Sequence, residues 1–253
     1  MLKLSGVIIT YNEEKKIEKC LQSLIDVVDE IIVIDSLSTD NTKSICNKYN
    51  VTFIEQPFLG YKEQKQFGVD QASYDYIVAL DADESLSETL KMSILNLKHN
   101  WVYDGYVAKR LNYFCGQWIK HTTWYPDKKL RVFDRRKAKW GGINPHDSVK
   151  LHSPTAKTGF LKGDILHETY QSYSEFNQRV EKFSSISAES NFKLGKKAPI
   201  YKIIFNPTWA FIQSYFLKLG FLDGLNGLII SVQTANIRFL KYIKLRELIK
   251  EAS

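Results

Sequence analysis

Asp81 and Asp83 stand two residues apart where an apolar run at 75–80 (DYIVAL) gives way to Asp81-Ala82-Asp83-Glu84. That spacing puts two hard oxygen ligands on one side of a loop, a pattern suited to Mg²⁺ or Mn²⁺ bridging a diphosphate. An exposed acidic turn has the same residues; fusion to an apolar strand argues against it here. Two other apolar runs end on polar groups: Leu4–Thr10 leads into Tyr11-Asn12-Glu13, and Glu30–Asp35 into Ser36. Asn12, Ser36 and Asp40 also read as helix caps and turn formers. Three polar strand ends together favour a binding site, because open α/β sheets take ligands outside the carboxyl ends of their strands. No G-x-G-x-x-G follows the first run and no G-x-x-x-x-G-K-[ST] occurs, which excludes the dinucleotide fingerprint and the P-loop.

The elements that must hold these ends alternate regularly. Strand Leu4–Thr10 is followed by a helix at 13–27 with Ile17, Cys20, Leu21 and Leu24 at helical spacing. Strand Glu30–Asp35, a short helix at 39–49, a strand at 51–54, a helix at 60–72 and the strand at 75–80 follow. This order and the apolar strands predict an α/β fold, a parallel sheet covered on both faces. After Asp83 the rhythm changes to a helix at 86–97 and strands at Gly105–Phe114 and 129–134, with an aromatic-rich loop at 116–127 between them. From Ser172 the pattern is helical, over 172–194, 200–219 and 224–248. The expected organisation is a sheet domain over 1–171, with halves 1–85 and 86–171, and a helical region over 172–253.

The 253 residues are 44% hydrophobic, 13% aromatic and 25% charged, which excludes disorder, collagen-like repeats and a disulfide-stapled miniprotein. The net charge of +7 is unevenly placed: residues 1–191 hold 25 Lys+Arg and 25 Asp+Glu, whereas 192–253 hold 10 and 3. Such a basic tail points to a polyanion or an anionic membrane surface. Cys20, Cys46 and Cys115 are odd in number and widely spaced, so neither a disulfide framework nor a zinc knuckle is expected, and a reducing compartment fits. The first apolar stretch is too short and too soon acidic for a signal peptide, so export is not expected. The longest uncharged runs of the tail, 203–217 and 224–237, fall short of the roughly 18 to 20 residues that cross a bilayer.

Several segments carry a family resemblance: ITYNEEKKIEKCLQSL, EIIVIDSLSTDNT, GYKEQKQFG and YIVALDADE. They resemble family 2 glycosyltransferases of the GT-A fold, which implies a Rossmann-like, mostly parallel sheet with a mixed acceptor half. CGQWIKHTTWYPDKKLRVFDR, LKGDILHETY and PTWAFIQSYFLKLGFLDGLNGL narrow the resemblance to bacterial lipopolysaccharide or lipooligosaccharide inner-core β-1,4-glucosyltransferases. The implied activity is transfer of glucose from UDP-glucose to a heptose of the lipid-linked core oligosaccharide, as a UDP-sugar-dependent hexosyltransferase. By this resemblance Thr10, Tyr11, Glu13 and Asp35 line the uridine pocket, Lys65 lies near the base or diphosphate, Asp81 faces the ribose and Asp83 holds the metal, Mg²⁺ or Mn²⁺. Lys62 and Lys65, three apart, share a helix face that can meet a diphosphate.

Inverting transfer is a single displacement, so one carboxylate must take the acceptor proton. The family places a His-Glu pair where this chain has Asn144-Pro145-His146-Asp147, which makes Asp147 the candidate base, one methylene shorter than the family's residue; capping of a turn after Pro145 is its other reading. His167 matches a position that completes the metal shell in related enzymes, and otherwise reads as a hydrogen-bonded core histidine. Leu37 and Asn41 replace glycines common in relatives, which leaves Asp35 the least secure strand-end assignment. Trp118, His121, Trp124, Tyr125, Asp127 and Arg131 crowd one segment. Its aromatics either pack in a core or stack on sugar; Trp124, Tyr125 and Arg131 are the expected acceptor contacts.

The tail is open to two readings. Phe205, Trp209, Ile212, Phe216 and Leu219 recur at spacings of three and four, as do Leu228, Val232, Ala235, Phe239 and Tyr242, with Lys and Arg beside them. These stripes either pack on the sheet domain or lie on an anionic membrane surface, the cytoplasmic face of the inner membrane by the resemblance. Nucleic acid is not expected as a partner, since no reader motif is present. A nucleotidyltransferase would need a glycine- and arginine-rich first loop where this chain has TYNEE; a non-catalytic, membrane-bound nucleotide-sugar-binding protein is the remaining alternative.

Overall fold

The computed structural model describes residues 1–143 and 146–252. Strand β1 (Leu4–Thr10) lies between β2 (Glu30–Asp35) and β4 (Tyr76–Asp81), parallel to both, and β3 (Thr52–Glu55) continues the parallel set beyond β2. Register sets Thr10 beside Asp35 and Ile9 beside Asp81, so three strands end level. Successive residues point to opposite faces. Leu4, Ile8, Val33, Val78 and Leu80 enter one core layer, and Val7, Ile32, Ile34, Ile77 and Ala79 the other. Burial on both faces is why these strands read as unbroken apolar runs.

Four helices follow the early strands: α1 (Ile17–Leu24), α2 (Thr42–Cys46), α3 (Tyr61–Asp70) and α4 (Glu88–Leu97). Ile17, Cys20, Leu21 and Leu24 of α1 share the first layer with Leu90 and Ile94 of α4. On α3, a Cβ at Gly68 would come within 2.7 Å of Val7 and 2.9 Å of Ile34, so only glycine lets this helix lie so close to the sheet.

Among the described residues the sheet has nine strands, in the order β3-β2-β1-β4-β8-β6-β11-β5, with β8 (Asp127–Asp134), β6 (Gly105–Phe114), β11 (Thr158–Tyr170) and β5 (Glu84–Leu86), and β7 (Gln117–Ile119) paired to β6. β9 (Ala138–Ile143) and β10 (His146–Leu151) form a separate antiparallel pair. The predicted α/β class, a mostly parallel sheet with a mixed second half and C-terminal helices, is observed. Five strands escaped the sequence pattern: β5, β7, β9, β10 and β11. β5 and β7 have three residues each, too few for a period to register. Pairing of β5 with β11 also delays the next helix to Glu88, where Ser87 Oγ accepts from the Leu90 N–H. α1 likewise begins at Ile17 and not at 13, because the N–H groups of Glu13 and Glu14 donate to Thr42 Oγ1 and Asp40 Oδ2.

The chain gathers into two units, residues 1–110 with 128–168 and residues 111–127 with 169–253. The second contains α5 (Tyr173–Lys193), α6 (Ile200–Ile212) and α7 (Gly224–Glu251), and an aromatic core built on Phe114, Tyr170 and Phe176. Among the described residues no single helix is long and apolar enough to cross a membrane.

Candidate active site

The loops after β1 and β2 are stitched together by side chains. Asn12 N–H donates to Ser38 Oγ at 2.8 Å, Asn12 Oδ1 accepts from the Thr39 N–H at 2.8 Å, and Glu14 Oε2 accepts from the Asn41 side chain at 2.8 Å. Asn12 and Asp40 therefore do serve as turn formers, and the wall they build fixes the mouth of the sheet. Asp35 is spent on the same wall: its two carboxylate oxygens accept from the N–H and Oγ of Ser38. Leu37 holds the turn with φ 64°, the left-handed conformation in which a glycine sits without strain. Leu37→Gly is expected to stabilise the fold by about 1 kcal/mol, since the relieved strain exceeds the added chain entropy; an unchanged or lower midpoint in urea denaturation would count against the strain.

Thr10 closes β1 with its hydroxyl buried and without a hydrogen-bond partner among the described residues. Gln64 is in the same condition at Oε1, while its Nε2 donates to Ser36 Oγ just beyond β2. Buried polar atoms are normally satisfied, so these two mark a place where a polar ligand completes the structure. Tyr11, next after Thr10, is 58% exposed. Burial pushes the Glu13 carboxyl above its usual range; Lys16, 3.8 Å away, opposes this and the Asp83 charge adds to it.

Behind the strand ends runs a chain of alternating charges. Asp147 Oδ2 is 2.9 Å from Lys65 Nζ, which is 3.0 Å from Asp81 Oδ1; Asp81 Oδ2 accepts from Arg131 Nη2 at 3.0 Å. The same Arg131 nitrogen donates to Glu84 Oε1 at 3.1 Å, which also accepts from Arg110 at 3.0 Å. Glu84 Oε2 turns back to accept from the Asp81 N–H, so the acidic turn is pinned from inside. Burial raises the Asp81 carboxyl, but the charges of Lys65 and Arg131 outweigh it and hold it well below the usual range. Burial likewise opposes ionisation of Glu84, and Arg131 reverses the balance. Trp140 of β9 lies under both cations, its ring centroid 4.8 Å from Lys65 Nζ and 5.3 Å from Arg131 Cζ.

Antiparallel pairing of β11 with β5 sets His167 beside Glu84, and His167 Nε2 lies 3.2 Å from Asp83 Oδ2. Among the described residues no group of three or more His, Cys, Asp or Glu side chains could enclose an ion. A partly exposed Asp-His pair nevertheless fits an ion that takes most of its ligands from substrate phosphates and water.

The first unit thus brings together Thr10, Asp81, Lys65 and Asp147, with the Asp83–His167 pair on the same acidic turn. Asn144 and Pro145 lie outside the described residues, and the turn-capping reading of Asp147 falls on them. Two placements differ from a simple reading of the sequence. Lys62 and Lys65 differ in setting: Lys62, more than a third exposed, lies 2.9 Å from Glu63, whereas Lys65 is buried among carboxylates. Arg131, expected at the acceptor, is 5% exposed and committed to Asp81 and Glu84, because β8 runs antiparallel beside β4. In the second unit Trp124 lies edge-on to Phe114 and Phe176, with centroids 5.6 and 5.4 Å apart, and Tyr125 is half-buried. Sequence reasoning passed over Glu84, Arg110 and Trp140; only Glu84 had a signal, its place next to the paired aspartates.

Residues 5–153 match the family model described as glycosyl transferase family 2. An uncharacterised glycosyltransferase of Rickettsia typhi is 32% identical over 98% of this chain and 88% of its own length. A lipopolysaccharide core biosynthesis glycosyltransferase of Rhizobium meliloti, LpsC, is 30% identical over 96% of this chain and 92% of its own. The crystal structure of Staphylococcus aureus TarS residues 1–349 is similar over 100% of this chain and 92% of that one, at 17% identity and a TM-score of 0.48. A family model that spans more than half the sequence, and a relative 32% identical over 98% of it, establish that the chain belongs to glycosyl transferase family 2.

Proposed function

We propose that this glycosyltransferase moves glucose from UDP-glucose to a heptose of the lipopolysaccharide or lipooligosaccharide inner core, with inversion, by single displacement. The observation that carries the reading is the meeting of Asp81 and Lys65 with Asp147 at the strand ends, beside the Asp83–His167 pair. The similarity to LpsC supports the core-oligosaccharide acceptor.

Thr10 Oγ1 and Gln64 Oε1 would gain partners from the uridine, Tyr11 would stack on it, and Glu13 and Asp35 would shape its pocket. Asp83 and His167 would hold Mg²⁺ or Mn²⁺, which when bound supplies positive charge at the diphosphate of departing UDP. Lys65 is the mobile cation of this scheme. Drawn toward the diphosphate, it would leave Asp147 as a free carboxylate able to take the acceptor hydroxyl proton, so donor binding prepares the base. Trp124 and Tyr125 would keep the acceptor role that the resemblance implies for them. Because that acceptor is lipid-linked, the basic C-terminal region would attach the enzyme to the cytoplasmic face of the inner membrane.

Incubation of purified protein with a panel of UDP-sugars and truncated lipopolysaccharide, with and without EDTA, tests the reading. A hexose added from UDP-glucose and lost with EDTA is the expected product; absence of product with every donor would sink it. Asp83→Ala should weaken Mn²⁺-dependent UDP binding at least about tenfold. UDP binding that ignores Mn²⁺ in both proteins would remove Asp83 from the site.

A further inference from the structure

We propose that the turn joining α6 to α7 is a wedge that inserts into one leaflet of an anionic membrane, while the far ends of the two helices stay at the phosphate level. This deepens the surface-attachment reading given above and rests on it; the transfer chemistry does not depend on it.

The two helices, bent at 71° across a short break, fold back on each other inside the second unit. Asn206 Nδ2 donates to Tyr242 Oη at 2.8 Å, Ser214 and Ser231 share a hydrogen bond of 2.8 Å, and Gly227 lies against Gly220. These contacts run in opposite directions along the chain, with the turn at 217–224. The turn is built for tightness: a Cβ on Gly227 would come 1.8 Å from the Gly220 carbonyl oxygen, and one on Gly220 would come 2.7 Å from that of Ser214.

Apart from the exposed Lys218, what this tight turn presents is apolar. Phe216, Leu217, Leu219, Phe221, Leu222 and Leu225 are all exposed, Leu225 to 67%. The surface continues along α6 through Ile204, Phe205 and Trp209, and along α7 through Leu228 and Val232. Phe205, Trp209, Ile212, Phe216 and Leu219, the stripe seen in the sequence, are thus not covered by the rest of this chain. A contiguous surface of this kind marks an interaction site.

Charge placement selects the occupant. Between residues 203 and 237 only Lys218 and Asp223 are charged. Asp223 is buried and consumed inside the unit, accepting from the N–H groups of Lys120 and His121 and lying 3.0 Å from His121 Nδ1. No free acid therefore faces out from the turn. The basic residues gather at the opposite end, Lys193, Lys196, Lys197 and Lys202 before or at the start of α6 and Arg238, Lys241 and Lys250 on the later turns of α7. An apolar tip with a cationic base matches the profile of a leaflet carrying anionic headgroups, and not that of a water-filled groove. A second copy of the chain would bring the same cationic base against itself.

Flotation with phosphatidylglycerol/phosphatidylethanolamine vesicles at low salt tests this on the full chain. Wild-type protein should float, and Leu222→Glu/Leu225→Glu should lose binding about tenfold or more. Both positions are exposed, and retained UDP-glucose hydrolysis in solution would show that the variant is folded. Acyl chains brominated near the headgroup should quench Trp209, and Trp209→Phe should lose that component. Wild-type flotation matched by the double variant would leave surface attachment standing and overturn the wedge. The wedge is also overturned if the protein ignores the vesicles and forms a dimer that the double variant dissociates.

Discussion

Asp147→Asn is expected to cut transfer from UDP-glucose by about 10²- to 10⁴-fold, the usual contribution of a positioned general base, while donor binding persists. The substitution is informative because Asn keeps an oxygen that can accept from Lys65 Nζ, now 2.9 Å from Asp147 Oδ2. Lys65 therefore keeps a partner before the donor binds, and because a neutral amide holds the cation less tightly than a carboxylate, the donor KM should stay level or fall and should not rise. If Asp147 only anchored Lys65, the effect would fall on donor KM and leave kcat nearly intact. Steady-state kinetics with donor and acceptor varied separately distinguish the two. Asp147→Glu supplies the carboxylate that the resemblance leads one to expect at this position and should restore part of kcat; a longer arm in the same strand register reaches further from Gly142, which Asp147 opposes across the β9–β10 pair. Full transfer by Asp147→Asn with unchanged UDP-glucose affinity would remove the base assignment.

The parts of this site legible in the sequence are those written within one strand and its following loop. Thr10, Asp35, Asp81 and Asp83 each close an apolar run, and parallel pairing in register brings those ends together without further information. Lys65 was legible as a cation on a helix, but its burial was not, since that depends on Trp140 and Asp147 from a hairpin with no clear period. Arg131 shows the limit most plainly. A strand residue among aromatics reads equally as a ligand contact or an internal partner, and the choice is made by β8 lying antiparallel against β4, with Val132 opposite Val78. Arg110 reaches Glu84 from β6, which is separated from β4 by β8 in the sheet. Such partners are set by strand order, which local spacing does not encode. His167 entered by resemblance, and it is the register of β11 on β5 that sets it beside Asp83.

The second large effect is expected at Arg131. The residue is 5% exposed and one guanidinium nitrogen serves both Asp81 and Glu84. Such an arrangement is weak evidence of net stabilisation, because desolvating three charges offsets much of their attraction. Breaking it is another matter. Arg131→Met fills a similar volume but leaves the buried Glu84 carboxylate facing the partly buried Asp81 across the acidic turn, and about 3 kcal/mol of folding stability should be lost. Arg110 still reaches Glu84, and Lys65 still reaches Asp81, which keeps the loss from exceeding that figure. Adding Glu84→Gln to Arg131→Met removes one of the stranded charges and should recover part of the loss, whereas independent sites would simply add. The Gln side chain can still accept from the Asp81 N–H that Glu84 now holds at 3.1 Å, so the turn keeps its inner support. Urea denaturation of the wild type, both single variants and the double variant gives the coupling directly. Strict additivity would mean that Arg131 contributes by packing against Trp140, its ring centroid 5.3 Å away, and not by neutralising the turn that presents Asp81 and Asp83.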